Sequence, residues 1–130
     1  MGCTRPFLSL GAGTWRNRTI EPIELAHIAQ EACLDKKATD ISLLDVSGLT
    51  IVADYFLICT AQSAAQAKAV GEAVRDAIKK KCGRNPLGIE GLEQGWWVLL
   101  DFGDILVHVF QEEAREYYQL EETWAGAVAA

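Results

Sequence analysis

A chain of 130 residues, half of them apolar and 23% charged, has the balance of one folded domain around one core, which excludes a disordered chain and leaves little room for two domains. Eighteen Asp and Glu against twelve Lys and Arg give a formal net charge of -6; that surface repels phosphate backbones, so no direct binding in a nucleic-acid groove is expected, and a basic protein is the favoured kind of partner. No apolar run reaches the roughly 18 residues that cross a bilayer, so no membrane association is expected.

Residues 1–20 carry Arg5, Arg16 and Arg18 and no acidic residue, include Gly11-Ala12-Gly13, and lack any periodicity. They read as a flexible N-terminal arm without the apolar stretch of a secretory signal. The first helix is expected from about Glu21 to Lys37, with Pro22 in its first turn and Leu25, Ile28, Ala29 and Ala32 on one face. Ile41 to Val46 is a short apolar run closed by Ser47-Gly48, hence a strand. Asp54 to Cys59, aromatic and β-branched, reads as a second strand lying centrally in a sheet, antiparallel to the first.

Ser63-Ala64-Ala65-Gln66 has the form of a capping box and opens a second helix. Ala67, Val70, Val74, Ala77 and Ile78 form its apolar stripe, Lys79 to Lys81 its last turn, and Gly83 its stop. Asn85 to Gln94 contains Pro86, Gly88 and Gly91 and is expected to be loop. Trp96 to Asp101 and Ile105 to Phe110 are two strands joined by a turn at Phe102-Gly103-Asp104. A short helix from about Glu112 to Tyr118 follows, and residues 125–130 are expected to be a frayed tail. The sum is an α/β domain at residues 21–124: a mixed four- or five-stranded sheet with helices packed on it.

Chemistry-bearing patterns are few. Cys3, Cys33, Cys59 and Cys82 are dispersed without a CxxC pair, which suits neither a zinc site nor a disulfide framework and fits a reducing compartment. Asp101-Phe102-Gly103 spells a kinase tripeptide, but the Gly-rich loop and catalytic loop that would give it meaning are missing. Asp54, Asp101 and Asp104 could gather around magnesium, as in nucleotidyl transfer, yet Thr60-Ala61-Gln62-Ser63 lacks the glycine of a phosphate cradle. His27 and His108 both lie among apolar residues and read as satisfied structural groups. Trp96 and Trp97 are different. Neighbours on a strand face opposite ways, so one of the two must leave the core, and exposed Trp is a frequent interface anchor.

These residues belong to a longer pattern. Ala38-Thr39-Asp40-Ile41, Leu44-Asp45-Val46-Ser47-Gly48-Leu49, Ala53 to Cys59, Gln66-Ala67-Lys68-Ala69, Glu90-Gly91, Trp97 to Asp104, Val107-His108-Val109-Phe110, Arg115-Glu116-Tyr117-Tyr118, Leu120-Glu121 and Trp124 occur in an order that resembles the ribosomal silencing factor, or Iojap, family. The resemblance runs from about Ile23 to Trp124. It implies a nucleotidyltransferase-like fold without the catalytic motif, and a translation repressor rather than an enzyme. Such a repressor binds the large ribosomal subunit through ribosomal protein L14 and blocks joining of the small subunit when nutrients are scarce. It implies no cofactor, no metal and a cytoplasmic location.

Carried onto this chain, the family pattern puts the docking surface on the second-half strands. Trp97 is the aromatic anchor, Leu99 an apolar contact, and Asp101 and Asp104 acceptors for Lys or Arg, with Tyr55 and Glu90 as further candidates. Asp40, Arg115 and Trp124 are expected to hold the fold. Two alternatives stay open: a large-subunit assembly factor, to which organelle members of the family are tied, and a magnesium-dependent nucleotidyltransferase-like enzyme. A homodimer is a further option, since a surface with exposed Trp can pair with itself.

Overall fold

In a computed structural model, which describes residues 21–50, 53–119 and 128–129, the elements follow the order α1 (Pro22–Asp35), β1 (Thr39–Asp45), β2 (Tyr55–Ala61), α2 (Ala64–Cys82), β3 (Gly88–Glu90), β4 (Trp97–Asp101), β5 (Ile105–Gln111), α3 (Glu112–Tyr118) and β6 (Val128–Ala129). The sheet order is β3-β4-β5-β2-β1-β6. Five strands make the body of the sheet, and β6 adds two residues beside Leu44 and Asp45. β1 runs antiparallel to β2, β2 parallel to β5, and β5 antiparallel to β4. The sheet is therefore mixed, as its sequence suggests. Residues 1–20, most of the expected tail and Trp124 lie outside the described residues.

Local chemistry sets the helix ends. Ser63 Oγ accepts from Gln66 N at 3.0 Å, and Gly83, with φ of 71°, turns the chain left-handed after Lys79 to Lys81. The reciprocal half of the expected capping box is redirected. Gln66 Oε1 accepts from Gln62 N at 2.6 Å, and its Nε2 donates to the carbonyls of Lys36 and Lys37. One side chain thus ties the end of α1 to the start of α2.

Residues 85–94 are not all loop. Gly88–Glu90 pairs antiparallel with β4, Gly88 opposite Asp101 and Glu90 opposite Leu99. Three residues containing a glycine carry almost no strand signal of their own, and the edge of β4 supplies the missing hydrogen bonds.

The two sheet faces are packed differently. Helices α1 and α2 cover one face, where Leu25, Ala29, Cys33, Leu57, Val70, Val74, Ile78, Val98, Leu100, Val107 and Val109 form the larger core. Cys33 and Cys59 touch there at 3.8 Å between sulfurs, and that hydrogen bond together with burial pushes the Cys33 thiol up, which leaves it a neutral packing group. The opposite face holds a smaller core of Val46, Ala53, Phe56, Ile58, Phe110 and Ala114, with Leu44, Trp97 and Leu106 at its rim. Only the short α3 lies over it among the described residues.

Arg115 fastens that helix down. Its Nη1 donates to the Asp40 carbonyl and to Thr60 Oγ1 at 2.8 Å, and its Nη2 reaches Ser42 Oγ at 3.4 Å. The structural role expected for Arg115 is borne out. Asp40 contributes through its backbone, at an irregularity in the β1–β2 register where its φ is 49°.

Candidate functional site

Alternation along β4 sends Val98 and Leu100 into the helix-covered core and leaves Trp97, Leu99 and Asp101 on the other face. Pairing with β3 then brings Gly88, Glu90 and Gly91 alongside them. These six residues line an open groove of about 460 Å³. Two of the six are glycines, so the groove is a place where side chains are absent as much as one where they are present. Gly91 has a stricter reason: its φ is 75°, and a Cβ there would lie 2.1 Å from the Trp97 carbonyl oxygen. No other L-residue fits that approach without moving the backbone.

Trp97 forms the inner wall. Its ring centroid lies 4.6 Å from that of Tyr118 and 4.9 Å from that of Phe110, and its Nε1–H donates to Nδ1 of His108 at 3.2 Å. Trp96 lies at a bend just before β4 and is 38% exposed, so one of the adjacent tryptophans is indeed left at the surface. Asp101 sits at the far end of the groove with Oδ1 accepting from the Gly103 backbone N–H at 2.8 Å. That bond closes the turn into β5, where Gly103 has φ of 86°. Asp101 and Glu90 are the ionisable groups among the described lining residues, and none of those residues is basic.

Of the six expected site residues, Trp97, Leu99, Asp101 and Glu90 meet in this groove. The other two do not join them. Asp104 lies at the turn, its Oδ2 engaged by Arg84 Nη1 at 3.1 Å while Arg84 Nη2 donates to the Phe102 carbonyl. Tyr55 stands opposite Ile105 in the parallel pair, so it packs with the helix-covered core, on the far side of the sheet from Trp97. Burial first, then the nearby charges of Asp45, Asp54 and Glu21, raise the Tyr55 hydroxyl above its ordinary value.

His108 differs from the satisfied histidine expected. Its ring is 4% exposed, Nδ1 is the acceptor for Trp97, and Nε2 is buried with no partner among the described residues. Burial lowers its pKa to about 4, so at neutral pH the ring is uncharged and carries its one proton on Nε2. An unpaired buried donor costs about 1–3 kcal/mol. His27, by contrast, is exposed on α1.

A metal-assisted reading finds little to work with. Asp104 is committed to Arg84 and Asp101 to its turn, and among the described residues no three His, Cys, Asp or Glu side chains cluster as metal ligands. Gly88, His108 and the covering rings of Phe110 and Tyr118 are not among the six site residues expected from the sequence. The signal that could have found Gly88 is its pairing partner, which is visible only once β3 is placed.

Comparison with known proteins supplies independent observations. Residues 19–129 match the family described as "Ribosomal silencing factor during starvation". A protein of Bacillus subtilis named ribosomal silencing factor RsfS is 44% identical over 103 residues, covering 79% of this chain and 86% of that protein. The chloroplastic Iojap protein of Arabidopsis thaliana is 38% identical over 106 residues, 82% of this chain and 42% of that longer protein. A crystal structure of a protein from Chromobacterium violaceum superposes with a TM-score of 0.79 at 39% identity, covering 82% of this chain and 88% of the other. The pattern of residues, the sheet and these similarities agree: the chain belongs to the ribosomal silencing factor family.

Proposed function

We propose that this protein represses translation by docking on the large ribosomal subunit through ribosomal protein L14 and thereby obstructing joining of the small subunit, above all under nutrient limitation. The observation that carries this reading is the groove between β3 and β4. It combines a large aromatic surface at Trp97, an apolar contact at Leu99 and two carboxylates, Glu90 and Asp101, with no basic side chain among the described lining residues. Such a groove suits a Lys or Arg side chain of a basic protein, held by the carboxylates and covered by the indole. The net charge of -6 acts in the same direction, favouring basic protein over bare RNA. Membership of a family named for silencing ribosomes supplies the site of action.

Silencing of this kind is steric. It needs a complementary surface and enough affinity, and neither cofactor nor bond-making chemistry; the protein acts as a binding module in the cytoplasm. No helix of the described residues is long and apolar enough to cross a membrane.

The test is cosedimentation of the purified chain with large subunits. Trp97→Ala is expected to weaken binding at least tenfold, the usual cost of removing an aromatic anchor. Asp101→Asn removes the charge while keeping an acceptor for Gly103 N–H, so it should weaken binding with the fold intact. Wild-type binding in both variants would overturn the proposed surface. Subunit profiles of a deletion strain separate silencing from assembly. Continued translation in starvation supports silencing, and excess free subunits during growth would assign the protein to assembly instead.

A further inference from the structure

β5 brings one ionisable side chain into the smaller core. His108 stands opposite Leu99 of β4 and Ile58 of β2, and its ring lies edge-on to Phe56 at 5.1 Å and stacked with Phe110 at 6.0 Å. These neighbours are apolar or aromatic, and its outer nitrogen, Nε2, has no partner among the described residues. A leucine or phenylalanine would fill that space without burying an unpaired donor. Among the described residues the imidazole makes one hydrogen bond, and it is with the groove: Nδ1 accepts the indole N–H of Trp97 at 3.2 Å.

The remaining contacts of Trp97, with the rings of Phe110 and Tyr118, are stacking contacts that tolerate sliding and tilting. A hydrogen bond does not, because it weakens steeply once donor and acceptor lose alignment. His108 therefore fixes which edge of the indole is turned inward and which part of the ring is presented to the groove. Fixing a side chain before docking removes an ordering cost from the binding step.

We propose that His108 is the positioning residue of the docking groove, holding Trp97 by its indole N–H in the orientation that a basic protein partner meets. This rests on the docking reading above. It makes His108 a residue retained for alignment of a neighbour and not for stability.

Two variants and two readouts test it. In the free protein, the indole N–H resonance of Trp97 is identified among those of the four tryptophans by its loss in Trp97→Phe. His108→Leu should shift that resonance and weaken binding to large subunits about tenfold, while leaving the thermal midpoint unchanged or higher. His108→Asn, which returns an acceptor near the position of Nδ1, should restore both the resonance and most of the binding. A role in packing alone predicts the opposite: a lower midpoint for His108→Leu and no rescue by Asn. An unmoved indole resonance in His108→Leu, or equal binding by both variants and wild type, would overturn the proposal. Unchanged binding in Trp97→Ala would instead remove the docking reading, a failure that the free-protein resonance keeps separate.

Discussion

The two faces of the sheet are built from different materials. On the helix-covered face the buried set is mostly aliphatic: Leu57, Val70, Val74, Val98, Leu100, Val107 and Val109, with alanines and thiols between them and Phe102 as its one fully buried ring. On the other face Val46, Ala53, Ile58 and Ala114 are joined by a connected set of rings, Phe56, His108, Trp97, Phe110 and Tyr118. Aliphatic side chains interdigitate well where two helices seal a sheet on that side. Trp, Tyr and His rings carry a polar atom at one edge, so they can close a core and still meet water or a partner at its rim. The difference teaches that, among the described residues, one face is sealed by two helices while the other is covered only where α3 lies over it, leaving the β3–β4 groove open.

Leu99 and Leu100 put that contrast to its sharpest test, being adjacent residues on opposite faces. Leu100→Ala should cost about 2–5 kcal/mol of unfolding free energy, since Leu100 is fully buried and the surrounding core cannot collapse into the space. Leu99→Ala should cost less than about 1 kcal/mol, because half-buried truncations leave little cavity, while reducing subunit binding. Denaturant unfolding and cosedimentation of the two variants measure both quantities; equal stability losses would erase the distinction between the faces.

Acid should attack the aromatic face selectively. His108 titrates at about 4 in the folded protein, against about 6.5 in an unfolded chain. Below pH 6.5 the unfolded state takes up a proton that the folded state refuses, so stability present above that pH is lost as it falls toward 4, by up to about 3 kcal/mol. Urea unfolding across this window should show the slope in wild type and a reduced slope in His108→Leu. An identical slope in both would place the acid sensitivity elsewhere.

Gly91→Ala is expected to cost more than about 1 kcal/mol from the left-handed backbone alone, and the clash with the Trp97 carbonyl should displace β3 and distort the groove. Binding should fall more than stability. The smallest effect is assigned to Asp104→Ala. Its ion pair with Arg84 is partly solvent-exposed, so the loss should be under about 1 kcal/mol. Because Asp104 is outside the groove, subunit binding should stay within about twofold of wild type, which is within the scatter expected of a near-neutral contact. A large binding loss there would extend the docking surface to the turn.

Much of this was legible before any pairing was known. The ends of α2 are written in Ser63, Gln66, Lys79 to Lys81 and Gly83, and the β4–β5 turn is written in Gly103. The family pattern named four groove residues that the structure does bring together. Tyr55 falls in the same family pattern because a motif in one dimension carries no face. Whether Tyr55 shares a side with Trp97 depends on the registers of β2 against β5 and of β5 against β4, and those registers place it opposite Ile105, beneath the helices.

The amino-acid order alone accounts for what depends on neighbours within a few residues: caps, turns, alternation, the apolar stripe of α2 and the excess of acidic charge. These arise from backbone sterics and local hydrogen bonding, which act over one or two turns of chain. Only the tertiary structure decides that Gly88–Glu90 is a strand, that Gly91 closes on the Trp97 carbonyl, and that His108 meets the Trp97 indole eleven positions away. Each of these requires two strands to lie side by side in one register. That register is selected by burial of both sheet faces at once, a condition no short stretch of sequence contains.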